Sequence, residues 1–97
     1  MKIVFLVNDV MTEKDDYATI RLARRATEMG HEAALVSIVD LSYEADESVT
    51  GLAVSPRESD HKDDAAILAD LQDPGNEPKR IALTDADVLM LRMDPAD

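Results

Sequence analysis

The sequence predicts a small α/β domain, an open and mainly parallel sheet flanked by helices. Three observations carry this expectation. The opening "KIVFLVND" is rich in β-branched residues and apolar on both faces, as a strand covered on two sides must be. "YATIRLARRATEMG" follows with apolar residues at helical spacing and a terminal glycine. "HEAALVSIVDL" then reads as a second strand. Residues 2–39 therefore form one β-loop-α-β unit, and a right-handed crossover makes its two strands parallel. At 97 residues the chain is a single domain, 1–97.

In the first unit, "VMTEKDD" is a polar loop whose Asp15 and Asp16 place negative charge near the start of the helix, where the helix dipole favours it. The apolar stripe of that helix is Tyr17, Ile20, Ala23 and Met29, with Leu22 and Ala26 beside them. Gly30 is its expected left-handed cap, and His31 follows where it can interact with the helix C-terminus. "LSYEADESVTGLAVSP" mixes polar and apolar residues around Gly51 and reads as a short extended excursion or hairpin. "RESDHKDDAAILADLQD" is a polar run leading into a short helix over 62–71, with Ile67, Leu68 and Leu71 on its buried face. "PGNEP" is a turn. "KRIALTDADVLMLR" ends in a two-sided apolar strand, Val88–Leu91, expected to be buried.

Charge narrows the function classes. Ten basic and 21 acidic residues give −11. Residues 1–41 hold −2 of that and residues 42–97 hold −9. Such a chain repels phosphate backbones and anionic membrane surfaces, so neither nucleic acid nor membrane is an expected partner. Cysteine is absent, which removes disulfides, thiolate nucleophiles and Cys-based zinc sites. Asn8 and Asp9 interrupt the first apolar run too early for a signal peptide, and no apolar stretch approaches the ~20 residues of a membrane span. The expected location is the cytoplasm.

In open α/β sheets, ligands bind beyond the carboxyl ends of the strands. Asn8, Asp9, Asp40, Arg92 and Asp94 all fall at that edge if their strands run parallel. For Asp40 the plainer role of polar strand terminator is favoured. A phosphate-binding loop is not expected: "NDVMTEKDDYAT" has no glycine, and its four acids repel phosphate. His61 in "ESDHKDD" lacks a second ligand at metal spacing and reads as part of a solvated loop. The serines are scattered, and none sits in a nucleophile elbow. Met90 and Met93 read as core filling. Arg92 with carboxylates nearby suits an amino acid or peptide, because its guanidinium takes a carboxylate in a bidentate fork.

Taken together, "KIVFLVND", the acidic loop leading to a helix that contains Thr19, "RRATEMGHEAALVSIVDL" and the final "DADVLMLRMDP" resemble the N-terminal, pre-ATP-grasp domain of prokaryotic glutathione synthetase and its ATP-grasp relatives. The counterparts are Asp9, Gly30-His31-Glu32, Asp40-Leu41, and Asp87-Val88 through Arg92, Asp94 and Pro95. Ala96 stands where the motif has a second proline, and Met29 where arginine is usual before the cap glycine. The resemblance spans the whole chain, with the middle third matching in layout only.

The resemblance implies a Rossmann-like sheet that lines the acceptor-substrate side of a ligase cleft. It implies Arg92 as a contact to a substrate carboxylate, Asp94 and Asp9 as shaping that pocket, and Thr19 beside it at the helix start. It implies no catalytic group and no metal ligand in these residues. ATP and magnesium would belong to an ATP-grasp module in the same or a partner chain, so these 97 residues are expected to be inactive alone, as a domain fragment or a stand-alone piece. A small carboxylate or peptide is the expected ligand, and a homo-oligomer is compatible with the pattern. Two other classes share parts of it. The N-terminal half of a two-domain nucleotide-sugar glycosyltransferase has the "GHE" turn but normally glycines after its first strand. A non-enzymatic receiver-like signalling domain would need a carboxylate where Arg92 stands.

Overall fold

The computed structural model describes residues 1–14, 18–58 and 60–92. It is an α/β domain with six strands and two helices: β1 (Lys2–Val7), α1 (Ala18–Glu28), β2 (Glu32–Ser37), β3 (Ser42–Tyr43), β4 (Val49–Val54), α2 (Asp64–Gln72), β5 (Lys79–Ala82) and β6 (Val88–Leu91). The sheet runs β3-β4-β2-β1-β6, and β5 pairs with β4. No helix among the described residues is long and apolar enough to cross a membrane.

The β-loop-α-β unit forms as expected. β1 pairs in parallel with β2, Val7 opposite Ser37. The helix between them stops in a Schellman motif. Gly30 takes φ 85°, its N–H donates to Thr27 O at 3.1 Å, and the His31 N–H donates to Ala26 O at 3.0 Å. Only glycine adopts this φ without a Cβ penalty. His31 thus meets the helix end through its backbone.

The sheet is mixed rather than mainly parallel. β1 pairs in parallel with β2 and β6, whereas β2–β4, β3–β4 and β4–β5 are antiparallel. After β2 the chain reverses through a 3₁₀ turn at Ile38–Asp40 and a tight hairpin. Short reversals of this kind produce antiparallel neighbours, because a parallel one needs a crossover of a dozen or more residues. Gly51 in β4 permits close packing there: a Cβ would come within 2.6 Å of Val36 Cγ1.

Strand alternation sends the core two ways. Phe5, Val7, Ala33 and Leu35 face the helices and pack with Ile20, Ala23, Ala26, Ile67 and Leu71. Val4, Leu6, Ala34, Val36 and Ala53 face the other side, where Ile81, Leu83 and Ala86 cover them. Both helices therefore lie on one face, and β5 with its following turn covers the other. Arg24 links the helices, donating to Asp64 Oδ1 at 3.2 Å and Lys62 O at 3.1 Å.

Three expectations about burial are corrected. β6 is exposed, with Leu89 at 43% and Leu91 at 64%. Its apolar composition reads as a central strand, but it sits at the sheet edge with β1 as its only neighbour among the described residues. Met29 and Leu22 of the α1 stripe are also open, facing the same edge. His61 is buried rather than solvated. Its Nε2 lies 3.1 Å from Asp70 Oδ2, a partner supplied by α2 and invisible in the local sequence. Tyr17, Asp15, Asp16 and Met93 lie outside the described residues.

Candidate functional site

The parallel register brings the C-terminal ends of β1, β2 and β6 together. Leu6 pairs with Leu91 and Val7 with Ser37, and the Arg92 N–H donates to Leu6 O at 2.8 Å, extending the ladder. Arg92 therefore leaves the sheet at its carboxyl edge. Its Nε donates to Thr19 Oγ1 at 3.3 Å. Thr19 is buried in the first turn of α1. The two residues expected together are in contact, and Arg92 is itself exposed.

Asp9 has a different job. Its Oδ1 accepts from the Met11 N–H at 2.9 Å, and its carbonyl accepts from Thr12 N and Thr12 Oγ1. It caps the 3₁₀ turn Val10–Thr12. This is helix-cap chemistry, an oxygen satisfying an orphan amide. The Val10 N–H donates to Ser37 Oγ at 2.9 Å, and the Glu13 N–H returns to Val10 O. Every amide from Val10 to Glu13 is thus used within the fold. A phosphate cradle needs such amides free, so Val10–Glu13 do not form one. Asp40 is exposed at the end of its own turn. Asp94 lies outside the described residues.

Two residues at this edge escaped the sequence reading. Gln72, the last residue of α2, donates through Nε2 to both Val10 O and Glu13 O at 2.9 Å, pinning the loop from 59 and 62 residues away. Glu13 carries a carboxyl raised above its usual range by burial, with the Arg92 charge partly opposing that shift. Its Oε1 finds no hydrogen-bond partner among the described residues. Nothing in "MTEKDD" sets Glu13 apart from its acidic neighbours; only the packing does.

An acid with a raised folded-state pKa favours the fold most below its unfolded pKa and loses that contribution as pH rises through the folded value. Glu13→Gln is therefore expected to leave stability at pH 7 unchanged or slightly higher. Urea denaturation of both proteins at pH 7 checks this, and a clear loss would show that the carboxylate makes a favourable contact.

Exposed apolar residues stand among the polar ones at this edge. Met11 is 63% exposed, Val39 73% and Leu91 64%. The arrangement is an exposed guanidinium braced by a threonine, beside a half-buried carboxyl. That suits a small anionic ligand, which a guanidinium binds by charge-assisted hydrogen bonds. No group of three or more His, Asp or Glu among the described residues converges to hold a metal ion.

Comparison with curated protein sequences gives no match. Comparison with protein families gives one over residues 1–97, the family described as prokaryotic glutathione synthetase, N-terminal domain. The match covers the strand ends, the capping glycine turn and the Arg92 edge alike, and the chain belongs to the prokaryotic glutathione synthetase N-terminal domain family.

Proposed function

We propose that this domain is the substrate-side part of a glutathione-synthetase-like carboxylate–amine ligase, and that its carboxyl edge holds a small carboxylate or peptide. The observation that carries this reading is Arg92, exposed at the tip of a parallel strand and steadied through Thr19. On this reading ATP and magnesium bind an ATP-grasp module, in the same polypeptide or a partner chain. The occupied amides of Val10–Glu13 support that division, since those four groups are not free to cradle a phosphate. The exposed apolar side chains of Met11, Val39 and Leu91 at this edge support a second wall closing against it. Asp94 and Asp9 shape the pocket, Asp9 indirectly through its turn. The cytoplasm is the compartment this role assigns. The glycosyltransferase and receiver readings find no support in the family match.

The test is a titration of the domain with acetate and with a simple dipeptide, followed by NMR of backbone amides. Shifts are expected at Thr19 and Arg92. Arg92→Gln removes a charged donor pair worth about 1.5–3 kcal/mol, so binding should weaken roughly 10- to 100-fold. Arg92→Lys keeps the charge without the fork and should fall between them. Unchanged binding in Arg92→Gln would refute the site. ATP hydrolysis by these residues alone at enzyme-like rates would refute the division of labour.

A further inference from the structure

We propose that the amino edge of the sheet, opposite the Arg92 edge, carries a second ligand site that takes a free aliphatic α-amino acid as its zwitterion. β5 pairs antiparallel with β4, and its Ile81 packs over the face made by Val4, Ala34, Val36 and Ala53. Ala34 and Ala53 are small, and a cleft of about 440 Å³ remains beside them and Ile81. That volume suits a small molecule. Lys2 and Glu32 open β1 and β2 as register partners. They line this cleft together with exposed Glu77 and Lys79. β1 runs from Lys2 to Val7, which sets the cleft roughly 17 Å from the carboxyl edge.

Charge selects the ligand. Lys2, Glu32, Glu77 and Lys79 line one cleft, yet none of their side chains makes an ion pair or hydrogen bond among the described residues. Lys2 meets Asp87 through its backbone N–H, at 2.6 Å. A lone anion would face two carboxylates here, and a lone cation two ammonium groups. A zwitterion answers both signs at once. An aliphatic side chain then covers the floor of Ala34, Ala53 and Ile81, where removing apolar surface from water is favourable.

The rim is set before any ligand arrives. Arg57 Nε donates to Asp70 Oδ1 at 2.7 Å and Arg57 Nη2 to Asp73 Oδ2 at 2.6 Å. Asn76 Nδ2 donates to Ser55 O at 2.8 Å and to Asp70 O at 3.0 Å. These bonds tie together the two segments that flank the cleft, 55–57 and 76–79, so little ordering is left to binding. The rim charges face solvent, so each contact is modest and the expected affinity is roughly millimolar.

Titration of the chain with L-leucine, followed by NMR of backbone amides, tests the site. Saturable shifts are expected at Ala34, Ala53 and Lys79. They should persist in Arg92→Gln, which disables the carboxyl edge, so the two sites can fail separately. Isovalerate lacks the ammonium and isoamylamine lacks the carboxylate, and each should bind at least ~5-fold more weakly than leucine. Glycine keeps both charges without the side chain and should bind at least ~10-fold more weakly. Lys79→Gln and Glu77→Gln, at exposed positions, should each weaken leucine about fivefold. Arg80→Gln, next to Lys79 in β5 but outside the cleft lining, should bind like the wild type. No saturable shift at Ala34, Ala53 or Lys79 up to about 50 mM leucine overturns the proposal. So does loss of those shifts in Arg92→Gln, isovalerate or isoamylamine binding as tightly as leucine, or unchanged affinity in both Lys79→Gln and Glu77→Gln.

Discussion

Phe5→Ala is expected to lower stability by about 3–5 kcal/mol, the range for truncating a buried aromatic residue. Phe5 is 1% exposed and belongs to the helix-side cluster with Ile20, Leu35 and Ile67. It sits opposite Leu35 of β2 and Met90 of β6 in the two parallel ladders. It is the one phenylalanine in a chain without tryptophan, and among the described residues the one tyrosine, Tyr43, is exposed. Small domains hold about 5–15 kcal/mol in total, and the loss would remove a large part of that. The apolar groove beside Phe5 offers neighbours room to relax, which argues for the lower end of the range. Urea unfolding by circular dichroism measures the effect. Phe5→Leu should cost less than half as much, because most of the volume is retained. A loss below about 1 kcal/mol for Phe5→Ala would mean that β1 is not the centre of the core.

The β1–α1–β2 unit was legible because its main local signals agree with the tertiary outcome, Leu22 and Met29 of the helix stripe excepted. Two-sided apolarity in Lys2–Val7 does mean burial there, and Gly30 does take positive φ. The same signal misled at β6. A strand of four apolar residues looks alike at the centre and at the edge, and only the strand order separates them. The mixed character of the sheet was illegible for a related reason. Parallel pairing follows from crossover handedness, but what lies between β2 and β4 is a short reversal with little hydrophobic periodicity.

The site divides in the same way. Arg92 and Thr19 lie 73 residues apart and were matched through the family pattern, and they do meet. Gln72 and Glu13 acquire their roles from tertiary geometry. A glutamine at a helix end and a glutamate among acids carry no mark of pinning a loop or losing solvent. Asp9 was placed correctly at the strand end, yet its carboxylate serves the turn.

Asp70→Ala should destabilise the domain by about 2 kcal/mol at pH 7, from the loss of charge-assisted hydrogen bonds at a largely buried carboxylate. Asp70 accepts from Arg57 N at 2.8 Å, from Arg57 Nε at 2.7 Å and from His61 Nε2 at 3.1 Å. Its side chain is 10% exposed and that of His61 is 5%, so truncation strands a buried imidazole. Burial pushes the Asp70 carboxyl up, but the hydrogen bonds from Arg57 and His61 outweigh it and hold the group below its usual range. A depressed folded-state pKa stabilises the fold above the unfolded value, near pH 4 for aspartate, and that contribution is lost as pH falls through the folded value. The gap between wild type and Asp70→Ala should therefore be wide at pH 7 and narrow as pH falls through the lowered folded-state value. A gap of constant size would mean that packing, not charge, is what Asp70 supplies. The effect should also reach the candidate site. Asp70 and Gln72 share the last turn of α2, and Gln72 is the residue that holds Val10 and Glu13. Loosening that turn frees the loop, so Asp70→Ala should speed hydrogen exchange at the Met11 and Glu13 amides well before global unfolding. Exchange that stays tied to global stability would show that the loop is held from elsewhere.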